Sequence, residues 1–152
     1  MPDINLLACR EMTEHWYLAF TVWREARGEP DDCMAAVAWS ILNRVSRPGW
    51  WGHTIDEVVT KRWQYSSLTD PKDPQLSRSW PTVGDASWRK CWEVCRNVIQ
   101  GRIDNPVPGA DSYHDASIAP PNWTVAARKC GMVGGLYFYD VDHDFEVAVT
   151  HP

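Results

Sequence analysis

At 152 residues the chain has the length of one domain, 1–152, large enough to bury a core without disulfide or metal staples. Its apolar fraction of 44% and charged fraction of 23% are those of a soluble globular protein, and a net charge of −5 with no Lys/Arg block excludes a nucleic-acid role, which needs a basic face. No segment approaches the roughly 18 consecutive apolar residues of a membrane span, so stable membrane insertion is excluded as well.

The N-terminal stretch from Met1 to Cys9 has no basic start and only the short apolar run Leu6-Leu7-Ala8-Cys9, so no signal peptide is expected there. A first helix is predicted from Thr13 to Arg27. Within it Trp16, Ala19, Phe20 and Trp23 share one face and Leu18 and Val22 another, and a helix apolar nearly all round is a buried one. Pro30 suits the first position of a second helix, with Asp31 and Asp32 beside its positive dipole end and Gly28 relaxing the bend between the two. Met34, Val37, Ala38, Ile41 and Val45 keep helical spacing until Pro48-Gly49.

Thr54-Ile55-Asp56-Glu57 reads as a capping box that opens a short third helix through Thr60. Trp63-Gln64-Tyr65-Ser66-Ser67 and a polar loop from Thr69 to Pro81 follow. A fourth helix runs from Asp85 to Gln100, ended by Gly101 as a left-handed cap. The Pro-rich stretch from Arg102 to Asn122 reads as an extended surface loop of the kind that often carries binding residues. Asn122 is then expected to cap a short helix from Trp123 to Lys129, and Leu136–Tyr139 and Phe145–Val149 to form short strands or extended pieces. The fold class is mainly α (α+β), one domain with minor extended structure.

The five cysteines, an odd number, point to reduced thiols. Cys91 and Cys95 fall on a core stripe with Trp88, Trp92, Val98 and Ile99, and Cys33 and Cys130 read as buried thiols. Neither a second cysteine pair nor a histidine pair completes a metal site, so no metal and no cofactor are expected. Of the ten tryptophans, Trp16, Trp23, Trp39, Trp88 and Trp92 lie on apolar helical stripes and read as packing. Trp50, Trp51, Trp63, Trp80 and Trp123 lie in loop-like sequence and are candidates for lining a groove, since an indole face stacks on a sugar ring.

The sharpest chemical signal is Glu25-Ala26-Arg27-Gly28-Glu29-Pro30. If the first helix persists that far, Leu18 and Val22 continue by three and then four residues to Glu25 and Glu29, placing both carboxylates on a buried stripe. Desolvation there raises a carboxyl pKa, and an acid protonated near neutral pH can protonate a leaving-group oxygen, as breaking a glycosidic bond requires. The alternative is that both residues bracket a helix end. Glu29 suits that alternative better, because a carboxylate just before a helix start meets free amides. Arg27 reads either as a contact for a substrate carboxylate or as an ordinary helix-end cation.

Together with Ala36-Val37-Ala38-Trp39-Ser40-Ile41-Leu42-Asn43-Arg44-Val45, this string resembles the spore-cortex-lytic type of bacterial cell-wall hydrolase. Trp63-Gln64-Tyr65-Ser66, Ala110-Asp111-Ser112-Tyr113-His114, Pro121-Asn122-Trp123 and Gly134-Gly135-Leu136-Tyr137-Phe138-Tyr139 resemble later family segments in the same order, so the resemblance spans about residues 14–139. It implies a lysozyme-like, lytic transglycosylase-like domain that cuts the glycan strands of peptidoglycan between N-acetylmuramic acid and N-acetylglucosamine, with Glu25 as general acid and base. Gln64, Tyr65, Ser66, Tyr113, His114, Trp123 and Tyr139 are the expected substrate-binding residues. Without an export signal or a wall-binding domain, the chain looks more like a phage endolysin than a spore enzyme. As such it is expected to be a monomer held in the host bacterial cytoplasm until a holin-type partner releases it to the wall.

A double-carboxylate mechanism needs its two groups about 5 to 9.5 Å apart, which residues four apart on a helix approach. Both would project from one short turn, however, so Glu29 is expected to orient or tune the site. A hydrolytic muramidase needs the same acid and differs only in using water as the attacking group. The rivals from other classes are a metal-dependent amidase or peptidase built on His114, Asp115, Asp140, Asp142, His143 and Asp144, and a non-catalytic glycan-binding module. The first lacks the Gly turn and final Glu of a calcium loop and the His spacing of a zinc helix; the second needs only exposed tryptophans.

Overall fold

The structure, a computed structural model, describes residues 2–47, 50–61, 64–73 and 80–142. The expected break at Pro48-Gly49, the groove candidate Trp63, the expected strand Phe145–Val149, and His143 and Asp144 lie outside them.

Helix α1 spans Pro2–Ala26, starting well before Thr13. Residues Ala8 to Thr13 are exposed, and a solvated turn leaves no apolar periodicity to reveal it. From Leu18 to Arg24 the helix is buried all round, as its composition requires. It ends at Ala26, and Glu29 N–H closes the corner on the Ala26 carbonyl at 3.0 Å.

Helix α2, Asp31–Val45, is almost entirely buried, and Pro30 stands just before it as the cap residue. Helix α3, Ile55–Val59, is capped by Thr54, whose hydroxyl accepts from Glu57 N–H at 3.3 Å, while the Glu57 carboxylate reaches past Thr54 to His53 N–H at 2.7 Å. A single turn, α4, covers Ser66–Thr69. Helix α5, Ala86–Ile99, starts on Asp85, which accepts from Ser87 and Trp88 N–H, and stops at Gly101, whose φ of 72° is left-handed. Helices α1, α2, α3 and α5 pack around one core.

The segment expected as a loop contains strand β1, Ser112–Asp115, and the helix expected over Trp123–Lys129 is only a 3₁₀ turn at Asn122–Thr124 that opens on Pro121 with no side-chain cap. From Arg128 the chain is extended as β2, Arg128–Val133, and returns as β3, Leu136–Asp140, forming an antiparallel sheet of order β1-β3-β2. Tyr113 stands opposite Phe138 and His114 opposite Tyr137. Phe138 faces the helices and is fully buried.

The β2–β3 turn at Gly134-Gly135 docks on the corner between α1 and α2. A side chain at Gly134, where φ is +55°, would meet Cys33 Cβ at 2.7 Å, and one at Gly135 would meet Glu29 Oε1 at 2.7 Å. The sheet is thereby fixed against the helices at the end where Glu25 lies.

Candidate active site

Glu25 is the penultimate residue of α1, at the point where the buried helix reaches an open cavity of about 400 Å³. Arg44, Gln64, Tyr65, Ser112, Tyr113, Trp123 and Val141 complete its described walls. The Tyr113 hydroxyl donates to Glu25 Oε1 at 2.8 Å. Burial pushes the Glu25 carboxyl pKa up, and the charge of Asp73 adds to this; the hydrogen bonds of Tyr113 and Ser67 and the charge of Arg44 oppose it and lose. The Tyr113 phenol is pushed well up by burial and by the charge of Glu25, so it stays protonated and remains a donor.

The opposite wall depends on Asn43 and Arg44, two buried polar residues in the last turn of α2. Asn43 Nδ2 donates to the Val107 and Ala110 carbonyls at 3.1 and 2.7 Å, and its Oδ1 accepts from Asn105 at 2.9 Å. Arg44 Nε donates to the Asp111 carbonyl at 2.6 Å and its NH1 to Gln64 Oε1 at 3.3 Å, with the guanidinium 4.2 Å from the Trp51 ring and 4.9 Å from the Tyr65 ring. These bonds hold the segment leading into β1, and so set Tyr113 opposite Glu25. Arg44 is a wall of the cavity that motif and spacing did not assign. The available signal was an Asn-Arg pair on a helix whose spacing buries nearly every residue, because such groups are retained only when fully partnered.

Tyr65 has a φ of 46°, the only positive value among described non-glycine residues. An aromatic residue held there costs on the order of 1–3 kcal/mol, the kind of strain that clusters at functional sites. Its hydroxyl is buried without a hydrogen-bond partner, and burial pushes the Tyr65 phenol up to about 12. Ser66 is exposed, donates to Asp73 at 3.2 Å and is not among the described walls of the cavity, while the neighbouring Ser67 lies beside Glu25.

The remaining wall is positioned by buried ion pairs. The Asp111 carboxylate accepts from the amides of Val141 and Asp142, each at 2.9 Å, and lies 3.7 Å from Arg47. Arg47 grips Asp140 at 2.7 and 3.2 Å, and Arg128 bonds the same carboxylate. Burial works to raise the Asp140 pKa, but the hydrogen bonds and charges of Arg47 and Arg128 outweigh it and hold the carboxyl below the ordinary range.

Of the expected site residues, Glu25, Gln64, Tyr65, Tyr113 and Trp123 line the cavity. His114 and Tyr139 lie on the other side of the sheet, stacked 5.4 Å apart, with His114 Nε2 3.1 Å from the Tyr139 hydroxyl and Nδ1 2.8 Å from the Asp115 carbonyl. Trp123 packs edge-on against both rings, so this pair supports a wall residue rather than facing the cavity.

Glu29 is not on the Glu25 stripe, because α1 ends at Ala26; its carboxylate accepts from Gly135 N–H at 3.0 Å and anchors the β2–β3 turn. Arg27 lies over Trp23, 4.4 Å from the ring, and is not a wall of the cavity. Trp51 is buried under Arg44 rather than open, whereas Trp50, Trp80 and Trp123 are exposed.

Of the described residues considered for a metal, Asp140 is engaged by arginines, His114 by Tyr139 and Asp115 by Ser117. Among the described residues no cluster of three or more His, Cys, Asp or Glu is arranged to hold an ion. Cys33, Cys91 and Cys95 are buried free thiols, and burial pushes Cys33 and Cys91 up to about 12; Cys130 is free and half-buried.

The sequence model of the cell wall hydrolase family matches residues 28–139, most of the chain, beginning just past Glu25. No curated protein matches the chain. Among solved structures, the catalytic domain of the germination-specific lytic transglycosylase SleB from Bacillus anthracis superposes with a TM-score of 0.65 at 23% identity, over 83% of this chain and 93% of that one. The catalytic domain of the Bacillus cereus SleB protein gives 0.66 at 23% identity, over 84% and 90%. The helices and small sheet described above are thus the fold of those domains.

Proposed function

Because the chain belongs to the cell wall hydrolase family, we propose that it cleaves the peptidoglycan glycan strand between N-acetylmuramic acid and N-acetylglucosamine, as a lytic transglycosylase with Glu25 as acid and base. The observation that carries this reading is the Glu25 carboxyl, raised in pKa by burial, partnered by Tyr113 and open to a cavity lined with aromatic and hydrogen-bonding groups. The reaction class is in keeping with the SleB domain from Bacillus anthracis, a lytic transglycosylase that shares the fold.

In the first step the protonated Glu25 gives its proton to the bridging oxygen as the bond from C1 of the muramic acid breaks, and positive charge develops at C1. Glu25, now a carboxylate, accepts the proton of the 6-hydroxyl of the same sugar as that oxygen bonds to C1. A 1,6-anhydro ring closes and no water is consumed. Among the described walls of the cavity, Glu25 is the only carboxylate, which favours this one-carboxylate route over double-carboxylate hydrolysis. The cellular setting proposed with it is a monomeric endolysin that stays in the host cytoplasm until a holin-type partner admits it to the wall.

Mass spectrometry of digested glycan tests the chemistry. An anhydro end, one water lighter than the reducing sugar, is expected, and a reducing end would instead establish a muramidase. Glu25→Gln should retain binding and lose cutting; a folded Glu25→Gln enzyme that still lyses walls sinks the assignment. Expression in a bacterial host tests the setting, with lysis expected only when a holin is co-expressed.

A further inference from the structure

Outside the cavity at Glu25, the largest concentration of unused chemistry is aromatic. Trp16 and Phe20 on α1 lie one turn apart and stack 4.7 Å from each other at 20°, and Trp80 stacks on Phe20 at 5.1 Å and 18°. Phe20 is buried, whereas Trp80 is 56% exposed, so one indole is held flat against the protein yet remains largely open to solvent. On the Trp16 side this array opens into a second cavity of about 450 Å³, walled by Trp16, Trp88 and Trp92 and rimmed by Val83, Arg89 and Glu93. Helical spacing assigned those three tryptophans to packing alone. In the structure each is only partly buried, so packing does not use their whole surface.

The array is tied to the surroundings of Glu25 through Arg24. The Arg24 guanidinium lies 4.3 Å from the Phe20 ring and 5.1 Å from the Trp80 ring, and it also donates to the carbonyl of Ser67, the residue beside Glu25. We propose that Trp80 and the groove walled by Trp16, Trp88 and Trp92 form a second glycan-binding surface, which holds the same peptidoglycan strand at sugars distant from the bond being cut. This inference rests on the glycan reading of the first cavity.

The occupant follows from the chemistry. A hexose ring offers an apolar C–H face to an indole and a perimeter of hydroxyls to polar side chains. Aromatic walls with Arg89 and Glu93 on the rim match both requirements. A polymer that enters one cavity must leave it, and contacts along its exit raise overall affinity without any change in the chemistry, as linked binding sites do.

The test uses the full chain carrying Glu25→Gln, so that strands bind without being consumed. Indole N–H resonances are followed by NMR during titration with peptide-free glycan strands and, separately, with the N-acetylglucosamine–N-acetylmuramic acid disaccharide. The strands should shift the resonances of Trp80, Trp16, Trp88 and Trp92, and the disaccharide that of Trp123 alone. Adding Trp80→Ala, or Trp88→Leu to preserve packing, should weaken strand binding roughly three- to tenfold, the scale of one lost aromatic contact. Disaccharide affinity should stay constant in both.

Strand affinity within about twofold of the parent in both folded variants overturns the proposal, as does concentration-dependent dimerisation that these substitutions abolish, which would assign the face to a second copy. Strand binding at Trp80 by a wild-type chain that cuts no glycan would leave the groove standing and sink the reading of Glu25. Normal cutting with no shift at Trp80 would do the reverse.

Discussion

The Tyr113 hydroxyl donates to Glu25 Oε1 across 2.8 Å, joining the end of the buried helix α1 to strand β1. The bond favours the carboxylate form of Glu25 and so opposes the rise in pKa that burial imposes. Tyr113→Phe therefore moves the Glu25 pKa further up. Glycan cleavage needs the protonated acid, so activity is lost as pH rises through that pKa, and the alkaline limb of the rate profile should shift to higher pH. The acid also loses its orienting partner, and kcat should fall roughly tenfold or more. Turbidity assays on purified walls over a pH series check both effects; an alkaline limb that stays put or moves to lower pH contradicts this account.

The same burial makes Glu25 a cost to the fold at neutral pH. Its folded pKa lies above its unfolded value, so between the two the native state binds more protons, and stability falls as pH rises through that window. Glu25→Gln removes the titration while keeping the shape and an acceptor for Tyr113. The variant should melt at a higher temperature than the parent near neutral pH, with the difference fading below the ordinary carboxyl range. Thermal melts at several pH values decide this, and a difference that is constant with pH, or greatest in acid, would contradict it.

Asn43 supplies a stability prediction distinct from chemistry. Its side chain is 8% exposed and bonds two carbonyls and Asn105, pinning the chain between Ile103 and Asp111 to α2. Asn43→Ala leaves the Ala110 carbonyl without this partner and frees the Asn105 amide, while the Val107 carbonyl keeps the Ala110 N–H, which should cost about 1–3 kcal/mol in urea unfolding. Because the pinned segment leads into β1, kcat should drop even in the folded fraction. A loss below about 0.5 kcal/mol would mean that water replaces the amide without penalty.

The helices were legible because burial wrote a period into them. Leu18 and Val22 in α1, and Trp88, Cys91, Cys95 and Val98 in α5, recur at helical spacing, and Thr54, Asp85 and Gly101 mark the ends by cap chemistry. The sheet was largely hidden. Strand β1 is the polar tetrapeptide Ser112–Asp115, and β2 is an edge strand with no buried residue, interrupted by an irregularity between Lys129 and Gly131, so neither shows a two-residue apolar alternation. Only β3, bearing Leu136 and Phe138, was apolar enough to be read. Glu25 was legible for the same reason as its helix, as the continuation of a buried stripe. Arg44 was not assigned, because its partners Trp51, Gln64, Tyr65 and Asp111 come from three separate segments that only the fold brings together.

Glu29 is where the spacing argument stopped applying, and it separates the structural carboxylate from the chemical one. With α1 ending at Ala26, helical periodicity no longer connects Glu29 to Val22, and its carboxylate turns instead to Gly135 N–H. Glu29→Ala removes the acceptor of a half-buried amide and the wedge between α2 and the Gly134-Gly135 turn, which should cost about 1–2 kcal/mol. Glu29 is not a wall of the cavity, so glycan cleavage per folded molecule should stay within about threefold of the parent, or roughly 0.6 kcal/mol of transition-state stabilisation. Glu29→Gln, whose amide oxygen can still accept from Gly135, should recover most of the lost stability. Denaturant melts and cleavage rates on the same preparations test the pair. A stable Glu29→Gln enzyme that has lost cleavage as completely as Glu25→Gln would return Glu29 to the reaction as its second carboxylate.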